Sequence, residues 1–479
     1  MEGIAVEYEL VMGLETHVEL NTQTKIFCRC PVRFGQPPNT DCCPVCIGMP
    51  GTLPVLNREA VHFAALAGLA LHCEVHLKSQ MSRKHYFYPD LAKAYQITQQ
   101  QVPICGPGWL ELSNGKVIRI QRIHMEEDAG KLIHNGSDVL VDYNRAGVPL
   151  IEIVTHPDFR SAREAADYLE QLQGIMRYLG ISDGKMQEGS LRCDVNISVR
   201  PKGQRTLGER TEIKNMNSLS YLVKAVEYEF RRQVELLERG EEVCRETRRY
   251  DQKTGTTQLM RKKEAETDYL YFEEPDIPPV ALSPQELEAW NRELPELPMQ
   301  KRKRYQQEGL SPQEASSLIK YPKVADYFEE ACRWVQKPSL AAKWMLTHLF
   351  AAFQNEEEKE SGAFPLSPRQ FGEFLQGIEA GSIRRNYAKE VLAHLIATGD
   401  PLEQSLAKIQ KEDMGEKELE TLCQTCLQLY PEAAADYLRG KKQAIKALLG
   451  AAMKRSKGRA NPQQAQQMLE KLIHQKEKA

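Results

Sequence analysis

The segment Met186 to Arg200, MQEGSLRCDVNISVR, concentrates side chains that can do chemistry. Strict alternation sends Arg192, Asp194, Asn196, Ser198 and Arg200 to one strand face and Cys193, Val195, Ile197 and Val199 to the other. Ahead of it, Gln187-Glu188-Gly189-Ser190 adds a carboxylate and a turn glycine. A second stripe, GLETHVEL from Gly13 to Leu20, aims Glu15, His17 and Glu19 one way and Leu14, Thr16, Val18 and Leu20 the other. Two carboxylates flanking an imidazole can hold a divalent cation or move protons. A solvated antiparallel face accounts for either stripe taken alone. Further acids follow. Glu126, Glu127 and Asp128 are consecutive, ended by Gly130 and Lys131, and repel one another unless water, a cation or basic side chains neutralise them. Glu152 is the lone acid in the apolar run LIEIVT and needs a partner. Glu212 and Lys214 alternate with Ile213, a pair that a structural salt bridge explains equally well.

The elements that must position these groups are strands. Ile118 to Ile123 is expected as a strand delivering the three acids at its end or in a turn; Val139 to Asn144 and Leu150 to Thr155 are expected as strands around the turn Arg145 to Pro149. Ser218 should open a helix after Glu212 and Lys214, and Ser161 and Glu164 form a capping-box pattern ahead of Leu169, Leu172, Ile175 and Met176, with Gly180 closing that helix. Near the start, Cys28 and Cys30 are followed after twelve residues by Cys43 and Cys46 in a loop rich in Pro and Gly. Four thiolates at two paired spacings predict a closed tetrahedral zinc site that pins a loop with little apolar material of its own. A disulfide is the weaker reading in a chain without a secretory segment. Cys42, beside Cys43, is the competing ligand.

Taken in order, GLETHVEL, HMEEDAGK, NRAGVPLIEIVTHPDFRS, MQEGSLRCDVNISVR and EIKNMNS closely resemble the B subunit of the bacterial tRNA-dependent amidotransferase, and the resemblance runs essentially end to end. It implies a ligase subunit of translation that uses ATP to phosphorylate the side-chain carboxylate of Glu-tRNA(Gln) or Asp-tRNA(Asn) and then transfers ammonia to it. The implied partners are a glutaminase A subunit that supplies ammonia through a channel, a small C subunit, and charged tRNA(Gln) or tRNA(Asn). By motif match the catalytic set is Glu15, His17, Glu126, Glu127, Glu152, Glu188, Asp194, Glu212 and Lys214, with Glu15, His17, Glu126 and Glu188 holding Mg2+. The loop from Ser82 to Gln99 matches an aromatic and basic segment that implies Arg83 and Lys84, with Arg192, as phosphate contacts; packing explains Tyr86, Phe87 and Tyr88 as well. Three positions depart from the family pattern: His85 where asparagine is expected, and Leu270 and Glu273 where arginine and proline are. No GxxxxGK[ST] loop occurs, so the ATP site must have another architecture. Neither an amidase signature nor a glutaminase-type Cys/His pairing is present, so ammonia must come from elsewhere.

The 479 residues, 41% hydrophobic and 27% charged, suffice for two or three domains with real cores. The first residues lack a basic n-region, and no stretch approaches the roughly 18 apolar residues of a membrane span, so a cytoplasmic chain without membrane contact is expected. A net charge of −3 says little, but its distribution does: Arg439 to Ala479 carries +9, leaving −12 for the rest. Lys454, Arg455, Lys457 and Arg459 cluster between two amphipathic helices, the second starting at Asn461-Pro462, which suits a phosphate backbone; a merely solvated basic helix is the bland alternative. The resemblance implies that this tail grips tRNA. Pro275 to Pro298 is expected as a linker, and a further break falls near Asp400-Pro401. The expected fold is α+β: a mixed, cradle-like catalytic domain with a zinc loop over 1–294, a helical domain over 295–405 and a basic helical tail over 406–479. Two other functions compete with the ligase, a non-catalytic tRNA-binding scaffold and a metal-dependent hydrolase in which His17 and its neighbours activate water.

Overall fold

The alternating segments do form strands, and hydrogen-bond register between them decides which side chains meet. The computed structural model describes residues 6–262, 269–409, 415–456 and 459–477. Its strands are β1 (Tyr8–Glu19), β2 (Lys78–Ser79), β3 (Ser82–His85), β4 (Tyr95–Thr98), β5 (Gly108–Glu111), β6 (Val117–Glu127), β7 (Lys131–Asn135) and β8 (Asp138–Asp142). They continue with β9 (Pro149–Thr155), β10 (Leu191–Pro201), β11 (Thr211–Lys214), β12 (Glu246–Asp251), β13 (Thr256–Lys262), β14 (Leu270–Glu273) and β15 (Val280–Ala281). The main sheet has eight strands in the order β13-β12-β11-β10-β1-β9-β6-β5. Its pairings are antiparallel except β11 with β12. A three-stranded sheet, β14-β3-β4, and the hairpin β7-β8 accompany it.

One face of the main sheet is apolar. Leu14, Val18, Val195, Ile197, Ile151, Ile153, Ile123 and Met125 are buried there with residues of α1 (Arg58–Ala70), α2 (Ala162–Tyr178) and α3 (Leu219–Glu238). α3 starts at Ser218, whose side chain accepts from Tyr221 N–H. Ser161 likewise caps α2 by accepting from Glu164 N–H, but the Glu164 carboxylate reaches back to Arg160 N at 2.7 Å and to Lys116, so the expected box closes one residue earlier. β6 departs from expectation. It does not end at Ile123 but runs through Glu127, because β9 pairs with it as far as Pro149. Glu126 therefore shares a face with His124, and Glu127 points the other way.

The stretch Pro275 to Pro298 is not a linker. β15 pairs with β2, and α4 (Pro284–Glu293) sits on a full capping box at Ser283, with Leu287, Trp290, Leu294 and Leu297 against the main core. α5 (Pro298–Gln307) follows, with Pro298 and Tyr305 buried. Proline here starts helices, since a first-turn residue needs no N–H donor. The chain divides into two compact units, Met1–Tyr305 with Ile319–Pro322, and Gln306–Leu318 with Lys323–Ala479. The second is helical: α6 (Pro312–Leu318), α7 (Pro322–Cys332), α8 (Pro338–Trp344), α9 (Glu356–Ser361), α10 (Pro368–Ala380), α11 (Ala388–Thr398) and α12 (Leu402–Ile409), then α13 (Glu416–Leu429), α14 (Pro431–Leu438), α15 (Ile445–Arg455) and α16 (Pro462–Glu477). α13, α15 and α16 share a core of Leu419, Cys423, Leu448, Leu469 and Ile473. The architecture is a mixed sheet-and-helix N-terminal region followed by a helical C-terminal one, as expected of an α+β chain. Among the described residues no helix is long and apolar enough to cross a membrane.

Candidate active site and cysteine centre

Cross-strand register writes the site on the polar face of the sheet. One row across β10, β1, β9 and β6 reads Arg192, His17, Glu152, His124; the row beside it begins Asp194, Glu15, Val154. From β11, Glu212 lies opposite Asn196. Two groups of metal-ligand type result, His17 with Glu126 and Glu152, and Glu15 with Asp194 and Glu212, the donor atoms within each lying inside 4.8 Å of one another. His17 Nε2 is 3.5 Å from both Glu126 and Glu152. His124 Nε2 stands 3.1 Å from Glu152 and 3.7 Å from Glu126, so two imidazoles share two carboxylates. In the other group Asn196 donates to Glu15 at 2.8 Å, and Lys214 Nζ reaches Asp194 at 2.5 Å and Glu212 at 2.9 Å. Beside these groups a cavity of about 1000 Å³ is lined by His17, Glu19, Arg192, Asp194 and Lys214, and also by Arg145 and Lys131.

The groups perturb one another as their spacing requires. Burial opposes charge on His17, yet the hydrogen bond and charge of Glu152, with Glu126, hold it at about 9. Burial opposes His124 too, and the same two carboxylates lift it to about 9. Glu152 is driven well below the usual carboxylate range, its burial outweighed by His124 and His17. Glu15 is pushed up, first by burial and then by Glu152, Glu212 and Asp194. Burial and Asp128 raise Glu19 to about 8, against the pull of Arg192. A group whose folded pKa exceeds its unfolded value stabilises the fold below the unfolded pKa and loses that contribution as pH rises through the folded one. His17 and His124, from about 6.5 to about 9, and Glu19, from about 4.5 to about 8, all have this sign. In magnesium-free buffer the melting temperature should therefore fall between pH 6.5 and 9; a flat or rising profile in calorimetry would count against the buried cluster.

The other expected residues separate from these groups. The Glu127 carboxylate is clamped by Lys93 at 2.5 and 2.6 Å and accepts Ile97 N–H, so it braces β4 on the opposite side of β6. Glu188 lines the cavity but pairs with Lys185 at 3.3 Å, outside both groups; Gly189 before β10 holds φ +87° as a turn glycine. The foursome Glu15, His17, Glu126 and Glu188 is thus divided between two ligand groups and a cavity wall. Arg83 is bound bidentately by Glu274 at 2.8 and 2.9 Å and by Asp276, which commits its guanidinium to the fold. Lys84, one residue on and facing the other way, lies over the Tyr269 ring at 4.7 Å and acts on Tyr271, which also feels Glu152. Arg192 holds Asp128 at 2.6 Å and has Glu19 at 4.0 Å. Sequence reasoning missed His124 and Arg145 as parts of the site, and it singled out Asn196 on the polar stripe and Asp128 in the acid run without giving either a role. His124 was recoverable: it stands two residues before Glu126, and an uninterrupted strand puts both on one face.

The four expected cysteines converge. Cys46 Sγ lies 3.4 Å from Cys28, 3.6 Å from Cys43 and 3.6 Å from Cys30. A regular tetrahedron with zinc–sulfur bonds of about 2.3 Å has edges of about 3.8 Å, so these thiols fit a zinc ion with a small expansion. Cys42 turns its thiol to the Asn39 carbonyl, 3.3 Å away, and is outside the group.

Residues 10–288 match the model of the GatB/GatE catalytic domain, and residues 326–473 match that of the GatB domain. The B subunit of the aspartyl/glutamyl-tRNA(Asn/Gln) amidotransferase from Thermosynechococcus vestitus is 46% identical over 98% of this chain and 97% of its own length. This chain belongs to the GatB family. The proteins of the same name from Crocosphaera subtropica, 46% identical over 98% of this chain and 99% of the relative, and Carboxydothermus hydrogenoformans, 47% over 97% and 98%, agree. Both ligand groups and the cysteine centre fall inside the stretch matched to the GatB/GatE catalytic domain. Two of the three departures from the expected family pattern, His85 and Leu270, face each other across β3 and β14, and His85 packs edge-on to Phe272 at 5.1 Å. In the matched GatB domain, Lys454 and Arg455 are exposed at the end of α15. Arg459 is bidentate on Glu418 at 3.0 and 3.1 Å, and Lys457 lies outside the described residues.

Proposed function

We propose that this chain is the carboxylate-activating subunit of a tRNA-dependent amidotransferase, acting on Glu-tRNA(Gln), Asp-tRNA(Asn) or both. The observation that carries the reading is the pair of acid groups on one sheet face, set beside a cavity whose walls also carry Arg192, Lys214, Arg145 and Lys131. A carboxylate does not lose its oxygen to ammonia until that oxygen becomes a leaving group. In the first step a side-chain carboxylate oxygen bonds to the γ-phosphorus of ATP while the bridging bond to ADP breaks. In the second, ammonia attacks the carbonyl carbon, phosphate departs, and the nitrogen sheds a proton to leave the amide. Phosphoryl transfer of this kind needs positioned charge more than a protein nucleophile.

Glu15, Asp194 and Glu212, an all-oxygen set, suit Mg2+; His17, Glu126 and Glu152 form a mixed set better suited to a softer divalent ion. Magnesium, when bound, would spread the negative charge of the phosphate oxygens. Lys214 neutralises Asp194 and Glu212 in this structure, which puts its ammonium next to the carboxylates that would hold the cation. Asn196 fixes the Glu15 carboxylate, and His124 fixes Glu152. Lys131 lines the cavity without an ion-pair partner among the described residues and is available to a substrate anion; Lys84 holds its ammonium over the Tyr269 ring. The four cysteines would hold a structural zinc.

The proposed partners are those that membership of the family implies. Ammonia is supplied by a glutaminase A subunit, a small C subunit completes the assembly, and the tail over 406–479 binds tRNA through Lys454 and Arg455. Replacing both with alanine should weaken tRNA binding and lower the slope of log affinity against log salt by roughly 1 to 2; an unchanged slope in filter binding would remove the tail from the interface. The proposal as a whole is tested by ADP release from the assembled enzyme given Mg-ATP and ammonium. Release should require Glu-tRNA or Asp-tRNA, and equal release with uncharged tRNA, or tRNA binding with none, would refute it.

A further inference from the structure

The cysteine centre has a neighbour that nothing in the sequence pattern announces. Lys25 is fully buried, and its ammonium lies 3.6 Å from Cys46 Sγ and 3.3 Å from the Tyr143 carbonyl oxygen. A buried ammonium is costly unless an anion faces it. The nearby Asp41 carboxylate is engaged by both Nε and Nη2 of Arg33. The balancing charge must then come from sulfur. Four neutral thiols supply none, whereas four thiolates around a divalent ion leave a net −2.

We infer that Lys25 is the charge-balancing residue of the metal-loaded cysteine centre, a positioning residue that raises its affinity for zinc and ties metal occupancy to the turn bearing Arg145. The inference rests on the reading that the four cysteines hold zinc. Its second half rests on backbone geometry. Lys25 N–H donates to the Cys30 carbonyl at 2.9 Å, and Ile26 N–H to that of Gly147, also at 2.9 Å. Gly147 holds φ +82°, and a Cβ built there would sit 3.5 Å from Lys25 Cδ, so the lysine stem packs directly on this turn. From the same turn Arg145 reaches the carbonyls of Ala129 and Gly130 at 3.1 and 2.9 Å and lines the cavity. Lys25 thus touches the cysteine loop with its backbone and ammonium, and the turn that carries Arg145 with its stem and ammonium.

The test uses the full chain with Lys25→Met, which keeps the stem and removes the charge, and Lys25→Arg, which restores it. Zinc content is measured first, then affinity by competition with a chromophoric chelator, then melting temperature with and without zinc. Lys25→Met should weaken zinc binding about tenfold to a hundredfold, and Lys25→Arg should recover most of that loss. With zinc removed, Lys25→Met should melt at or above the wild-type temperature, because an uncompensated buried charge is gone; with zinc bound the order should reverse. Unchanged zinc affinity, or an equal loss of melting temperature in both states, overturns the role of Lys25 while leaving the zinc site standing. A wild-type chain that neither contains nor takes up zinc overturns both.

Discussion

Replacing Glu152 with glutamine should lower aminoacyl-tRNA-dependent ADP formation by at least about a hundredfold, the scale seen when one preorganised electrostatic group is removed from a reacting centre. The substitution keeps volume and removes only charge. Glu152 is one of the two carboxylates that both imidazoles share, at 3.1 Å from His124 and 3.5 Å from His17, and unlike Glu126 it also raises Glu15 in the neighbouring group. Its loss should release His17 and His124 from about 9 toward ordinary histidine values, a change that NMR titration of the ring protons would follow. Activity within a few-fold of wild type, with the histidines already titrating near 6.5, would show that Glu152 is a lone strand acid and no part of a charged centre.

The largest effect on stability is expected outside that centre. Glu229 is fully buried on α3 and accepts from Arg232 Nε and Nη2 at 3.0 and 2.6 Å, from Gln233 at 2.9 Å and from the Thr257 hydroxyl at 2.8 Å. Arg248 lies 3.5 Å away, and Glu246 is the other acid serving both arginines. Glu229→Ala leaves two guanidinium groups to one carboxylate and should cost about 3–5 kcal/mol, the range for breaking a buried ion pair by removing one partner. Thermal unfolding of the N-terminal unit should shift down by roughly 5–8 °C, while ADP formation per folded molecule stays near wild type. A shift of only a degree or two would mean that water or neighbouring carbonyls already satisfy Arg232 and Arg248.

These two sites mark what the sequence displayed and what it concealed. Period-two alternation placed Glu15, His17, Asp194 and Asn196 on polar faces and Val18, Val195 and Ile197 in the core, because one strand's faces are a local property. Register is not local. That His17 meets Glu152, and Glu15 meets Asp194, depends on how β1 slides against β9 and β10, and a shift of one residue would turn every side chain over. The errors came from parity: ending β6 at Ile123 hid that Glu126 and Glu127 face apart, and Arg83 and Lys84 part ways on β3 for the same reason. The stretch from Pro275 to Pro298 misled differently, since its prolines announce helix starts as readily as linkers. The cysteine spacing was fully legible, but the buried Lys25 beside it was not, because a lysine preceding Ile26-Phe27 carries no sign of what will cover it. Glu229 likewise looks like any acid on a charged helix until β12 and β13 close over it.

Among all these expectations the central one is that acids drawn from separate strands gather to hold a magnesium nucleotide against a tRNA-borne carboxylate. The most direct test is the position of the metal in the assembled enzyme bound to a non-hydrolysable ATP analogue with Mn2+ in place of Mg2+, located by anomalous scattering. The account predicts manganese on oxygens of Glu15, Asp194 and Glu212, with the γ-phosphate toward Lys214 and Lys131. Nucleotide and metal bound elsewhere, with Lys214 still paired to Asp194 and Glu212, would contradict it.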